Sequence, residues 1–191
     1  MTDARLTPPV DGHDHSAGDP AAPVTLVEYG DYECPYCGRA HPIVQRIQER
    51  FGSRLRFVFR NFPLAEIHPH AMHAAEAAEW VAEMGGEEAY WAMHDQMLEH
   101  QHDTADALSD AVLAEYAAAA GVDPEGIAEA LAAERYAVGV RLSFMSGVRS
   151  GVNGTPTFFI NGVRHRGPWD EETLVAAIEA AEGASRAAAR A

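Results

Sequence analysis

Glu33-Cys34-Pro35-Tyr36-Cys37-Gly38 carries the only two cysteines of the 191-residue chain, directly after the apolar run Val24-Thr25-Leu26-Val27-Glu28-Tyr29. Both sulfurs therefore belong to one site. A strand that ends in a short turn and opens a helix at Cys34 leaves that thiol near unpaired helix N–H groups, where the positive end of the macrodipole favours thiolate over thiol. A thiolate there is both nucleophile and good leaving group.

Two rival readings of C-x-x-C are weaker. Structural zinc takes four Cys or His ligands, and no second C-x-x-C or H-x3-5-H pair of suitable spacing follows, although His41, four residues after Cys37, would allow a three-ligand site. A purely structural disulfide would close a tiny loop and remove little chain entropy. No metal site is expected.

Composition narrows the partners. A hydrophobic content of 47% is ample for a core, while a net charge of −15, with every one of the 14 basic residues an Arg, repels phosphate backbones and anionic lipid. Nucleic acid and membrane surfaces are excluded on that ground, and no apolar run reaches the ~18 residues of a bilayer span. The opening residues lack the apolar stretch of a secretory signal, so a cytoplasmic location is expected, or a periplasmic or extracytoplasmic one if a signal was trimmed. Residues 1–21 read as a disordered polar leader whose His13 and His15 are solvated.

From residue 22 to 64 the pattern is βαβ: a strand at Val24–Tyr29, a helix carrying Ile43, Val44, Ile47 and Phe51 that stops at Gly52, and a second strand in which Leu55, Phe57 and Phe59 alternate with Arg56, Val58 and Arg60. Pro42 inside that helix predicts a kink. Residues 65–150 form a helical insertion. Its apolar sets are Ala71, Ala74, Ala75, Ala78, Val81 and Ala82; Tyr90, Met93, Met97 and Leu98; Leu113, Tyr116, Ala117 and Ala120; then Val138, Leu142 and Met145. Asp123-Pro124 reads as N-cap and N1 of a helix, and the insertion's histidines, His68, His70, His73, His94, His100 and His102, read as solvated. Residues 151–183 return to ββα, with a type I′ turn at Asn161-Gly162 between the strand Thr157–Ile160 and its partner, and a last helix capped by Asp170. The tail, 184–191, is expected to fray.

Taken together, Glu28-Tyr29-Gly30-Asp31-Tyr32-Glu33-Cys34-Pro35-Tyr36-Cys37, Pro42, and Gly154-Thr155-Pro156-Thr157 after the helices resemble the DsbA-like branch of the thioredoxin superfamily, from about residue 22 to 182. The resemblance implies a thioredoxin fold: an α/β chain with a central mixed sheet flanked by helices, carrying a helical insertion subdomain. It also implies that Pro156 is a cis-proline facing the dithiol, that Thr155 offers backbone groups to an extended substrate, and that Glu28 lies beneath Cys37 as a proton acceptor of raised pKa. The Pro35-Tyr36 dipeptide is similar to that of glutaredoxins rather than to the Pro-His of strongly oxidising members.

The chemistry expected is thiol-disulfide exchange with protein substrates, in which an exposed Cys34 forms the mixed disulfide and Cys37, one turn deeper, resolves it. Pro35 takes an early helix position, Tyr36 tunes the thiolate and meets substrate, and Arg39 and His41 are helix-surface residues beside the site. No cofactor beyond the redox-active disulfide is expected, with glutathione the possible co-substrate. Partners are protein thiols and disulfides and an unidentified redox partner, acting on a monomer. A glutathione-linked enzyme and a non-catalytic redox or metal-clip module are the alternatives.

Overall fold

A computed structural model describes residues 4–190 of the chain. Five strands form one sheet in the order β1-β3-β2-β4-β5, with β1 Ser16–Gly18, β2 Val24–Gly30, β3 Leu55–Asn61, β4 Thr157–Ile160 and β5 Val163–Arg164. β2 and β3 run parallel, joined through helix α1 (Pro35–Phe51), and every other pairing is antiparallel, so the sheet is mixed. Parallel neighbours need a crossover, and α1 supplies it. β4 and β5 are joined by Asn161 and Gly162, both at positive φ (48° and 77°), as a type I′ turn requires.

Strand alternation divides the core into two layers. Leu26, Phe57, Phe59, Phe158 and Ile160 point to one face, where they meet α1, the insertion and α6 (Glu171–Ala188). Val27, Tyr29, Val58 and Phe159 point to the other, where they meet Leu6, Phe62 and Val152. α1 continues through Pro42 from a start set by Pro35 in its first turn. Asp170 caps α6 by accepting the Thr173 N–H at 3.0 Å.

Four helices lie between β3 and β4: α2 (Ala71–His100), α3 (Asp110–Ala119), α4 (Ile127–Ala132) and α5 (Ala137–Arg149). α2 is broken in direction at Gly86, whose φ of 77° and ψ of −172° no helix contains. Asp123 makes the capping bond expected of it, accepting the Glu125 N–H at 3.0 Å with Pro124 between, but the left-handed Gly126 (φ 94°) interrupts the turn, so α4 starts at Ile127. The apolar set Val138, Leu142 and Met145 of α5 faces solvent, contrary to the reading from spacing. The inward face is a different set: Val140 is fully covered, and Phe144 stacks on Phe62 with ring centroids 4.2 Å apart. Beside them Gly147 lies so close to the sheet layer that a β-carbon would fall 2.5 Å from Phe62 Cδ2, so the helix packs there by close approach as well as by side-chain bulk.

Two terminal expectations fail. Residues 4–21 are not a disordered leader: Arg5 bridges Val163 of β5, Leu6 is buried, and Ser16–Gly18 pairs with Arg56–Val58 of β3. Polarity misled there, because the leader's charges have partners. Arg60 binds the Asp14 carboxylate at 2.7 and 2.8 Å and the Pro8 and Pro9 carbonyls, and His15 stacks on Tyr90 with ring centroids 3.8 Å apart. The tail is helical through Ala188, where Arg186 pairs with Glu182 one turn back at 2.6 Å. The leader's first three residues and Ala191 lie outside the described residues.

Candidate active site

The site forms where β2 ends and α1 begins. Cys34 is the N-cap residue of α1, with extended backbone (φ −73°, ψ 121°), and its carbonyl accepts the Cys37 N–H at 3.0 Å. The thiols are free. Cys34 is not the exposed thiol its position in the sequence suggests: only 3% of the residue is accessible, and Cys37 is fully covered. Cover over Cys34 comes from the loop before β4, whose Thr155 carbonyl accepts the Cys34 S–H at 3.5 Å. The Thr155–Pro156 bond in that loop is cis.

The sulfurs differ sharply in acidity. Cys34 is lowered to about 5, first by a hydrogen bond from the Cys37 thiol, then by the Thr155 side-chain hydroxyl and by the N–H groups of Cys37 and Tyr36, which together outweigh burial. Cys37 is pushed well above an ordinary thiol, first by burial and then because its proton is held by Cys34. One sulfur is therefore a thiolate at neutral pH and the other a thiol.

Glu28 lies in the middle of β2, in register with Phe59 of β3 on one side and Phe158 of β4 on the other. It is buried, and its Oε1 has no hydrogen-bond partner. Burial among those rings, followed by the negative charge of Cys34, raises its pKa to about 8, so near neutral pH it can carry a proton or give it up.

Supporting residues absent from the sequence reading hold the loop between strand and helix. Asp31 is buried and accepts three hydrogen bonds, from the N–H of Glu33 (2.9 Å), the N–H of Leu64 (2.8 Å) and His68 Nδ1 (2.7 Å), while its own N–H donates to Cys37 Sγ at 3.4 Å. Gln101, from just past α2, donates to the Tyr32 carbonyl at 3.0 Å and packs so tightly on Gly38 that a β-carbon there would lie 2.7 Å from its amide carbon. A run such as Tyr29-Gly30-Asp31-Tyr32 shows a turn-forming Asp, and the Glu33 N–H is local to that turn; Leu64 and His68, more than thirty residues away, leave no local signal. At the rim, Tyr36 is 53% exposed with the Arg39 guanidinium 4.4 Å from its ring centroid, and Pro156 begins a cleft of about 360 Å³ walled by Phe158, His165 and Trp169.

His41 is not a surface residue. It is 4% exposed, turned toward α2, with its ring 5.5 Å from that of His94, itself 2% exposed. Burial lowers the pKa of both imidazoles. Histidine on a helix face is usually solvated, but here both helices turn that face to each other.

A mixed thioredoxin-type sheet interrupted by a helical insertion, with a dithiol at the start of α1, is the architecture of DsbA-like oxidoreductases. The sequence matches the Thioredoxin family over residues 11–180, and the chain belongs to that family. BdbD from Bacillus subtilis, in its oxidised form, is similar with a TM-score of 0.84 and 27% identity over 95% of this chain and 100% of that one. A thioredoxin-like oxidoreductase from Silicibacter pomeroyi has a TM-score of 0.75 and 28% identity over 91% and 94%. α-DsbA1 from Wolbachia pipientis shares the fold, with a TM-score of 0.80 at 21% identity over 97% of this chain and 98% of that one. The curated relative "Na(+)/H(+) antiporter NhaA 3" of Salinispora tropica is 45% identical over 182 residues, 95% of this chain but 27% of its own length. The chain thus spans about a quarter of the curated relatives it matches. Among the described residues no helix is long and apolar enough to cross a membrane.

Proposed function

We propose that the chain exchanges disulfides with protein thiols through Cys34 and Cys37, with Glu28 moving the proton of the buried sulfur. The observation that carries this reading is the opposed acidity of the two sulfurs above a carboxyl group whose pKa is about 8. In the oxidising direction a substrate thiolate attacks Cys34 Sγ of the Cys34–Cys37 disulfide and a mixed disulfide forms. Cys37 leaves and takes the proton of Glu28. A second substrate thiolate then displaces Cys34, which departs as a stabilised thiolate, so the substrate loses two electrons to the dithiol. In the reducing direction the same groups act in reverse, and Glu28 accepts the Cys37 proton.

The low pKa of Cys34 favours the dithiol over the disulfide, which makes the pair an oxidant toward ordinary thiols. Thr155 and cis-Pro156 serve as the rim on which an extended substrate segment lies, with Tyr36 and Pro35 opposite. Because Cys34 is nearly covered, substrate must displace part of that rim to reach it.

Trapping tests the assignment. Cys37→Ser leaves a competent nucleophile with no internal thiol to break its adducts, so protein partners accumulate as reductant-sensitive conjugates on non-reducing gels; Cys34→Ser accumulates few. Equal trapping by both variants, or none by either, would overturn the division of roles. Conjugates with glutathione alone would assign the glutathione-linked reading instead.

A further inference from the structure

Where α1 meets α2, a second cluster of ligating side chains is assembled that the dithiol chemistry does not use. His41 Nε2 is buried and makes no hydrogen bond. It faces two carboxylates beyond hydrogen-bond geometry, Asp95 Oδ1 at 3.5 Å and Glu99 Oε1 at 3.7 Å. His94 lies beside it, and one ligand atom each from His41, His94 and Asp95 all fall within 4.8 Å of one another. A buried nitrogen left without a partner costs free energy on the order of 1–3 kcal/mol, so its retention between two acids needs an explanation.

The second ring is already oriented. His94 Nδ1 lies 3.2 Å from the Tyr32 hydroxyl, and that hydroxyl donates to Tyr90 at 3.4 Å. Having given its proton to Tyr90, Tyr32 accepts from Nδ1–H, which leaves the lone pair of His94 on Nε2. Metal-bound histidines are fixed in this way, by a hydrogen bond from the nitrogen that does not bind. Four ligands about 2.0–2.1 Å from a tetrahedral ion stand roughly 3.4 Å apart. The His41–carboxylate distances of 3.5 and 3.7 Å are close to that spacing, and Asp95 and Glu99 are both half-exposed; Glu99 Oε1 would close on an ion by releasing the Gln45 amide, which donates to it at 3.3 Å.

We propose that His41, His94, Asp95 and Glu99 form a site for a divalent transition-metal ion of the zinc class, clamping the first helix of the thioredoxin unit to the long helix of the insertion. Two imidazoles with carboxylates suit zinc and its neighbours, whereas calcium and magnesium take oxygen ligands throughout. His41 and His94 are 53 positions apart on different helices, so no ligand-spacing motif marks the site in the sequence.

The test is calorimetric titration of ZnCl2 into the full chain with the dithiol oxidised, so that neither sulfur can bind the ion, with Co2+ as a spectroscopic probe. One equivalent of Zn2+ should bind, and Co2+ should give the visible bands of a four-coordinate site without sulfur-to-metal charge transfer. Asp95→Asn, a substitution at a half-exposed position, should weaken Zn2+ binding at least about tenfold, and so should His41→Gln. Substoichiometric binding, or an affinity unchanged in Asp95→Asn and in Glu99→Gln, would overturn the site and place any bound ion on the surface histidines.

Discussion

Glu28 and Asp31 are both buried acids, one in the middle of β2 and the other just past its end, three residues on. Around Asp31 the chain brings three donors, from Glu33, Leu64 and His68. Around Glu28 it brings Phe59 and Phe158 and leaves Oε1 without a partner. A carboxylate met by donors holds a loop in place; one met by rings keeps its proton to pH values where protons can be traded. The same carboxyl group, at the same depth, thus serves architecture in one region and chemistry in the other.

Removing Asp31 should break this contrast most severely. Asp31→Ala leaves three donors facing no acceptor, at about 1–3 kcal/mol each, so denaturant unfolding should show a loss of about 4 kcal/mol or more. A loss under about 1 kcal/mol would mean the loop is held by something else.

Glu28→Leu should do the opposite. With a folded pKa of about 8 against an ordinary 4.5, the folded state keeps a proton between these values that the unfolded state has lost. This group therefore lowers stability as pH rises through that window, and Leu relieves the loss. The variant should match or slightly exceed the parent near pH 4.5 and gain up to about 5 kcal/mol over it above pH 8, measured on the reduced protein, while release of the mixed disulfide slows. A gain independent of pH would show that Glu28 does not titrate in this range.

Smaller changes sharpen the contrast. His68→Ala removes one of the three donors at a partly accessible edge and should cost about 1 kcal/mol, since water can replace it. Smallest of all is the effect of Glu28→Leu on Cys34 itself. Alkylation of Cys34 should keep its midpoint near pH 5 in the variant, because Glu28 is protonated there and has no charge to lose. A marked shift would tie Glu28 to the outer sulfur rather than the inner one.

Much of the frame is readable from local pattern. The alternation of Leu55, Phe57 and Phe59, the Asn161-Gly162 turn and the Asp170 cap each act within a few residues, so the sequence displays them. Glu28 was legible as an acid in an apolar strand. What escaped depends on partners distant in the chain: the Leu64 and His68 donors to Asp31, the meeting of His41 with His94, and the cover that Thr155 lays over Cys34. α5 escaped for another reason. Apolar residues occur on both sides of this helix, so spacing alone picked the exposed set Val138, Leu142 and Met145, while Val140, Phe144 and the small residues Ala137 and Gly147 anchor it.

The leader carries a last consequence. It touches β5 at Arg5 and β3 at Ser16–Gly18, which are the two outer strands of what would otherwise be a four-stranded sheet. Open sheet edges present rows of unpaired N–H and C=O groups on which another chain can continue the sheet. Here one short segment blocks both rows, and it offers little in exchange: β1 is three residues long and ends at Gly18, whose φ of 89° turns the backbone out of strand geometry. A polar segment thereby covers both open edges, and a chain trimmed of it would have two sticky edges through which to polymerise.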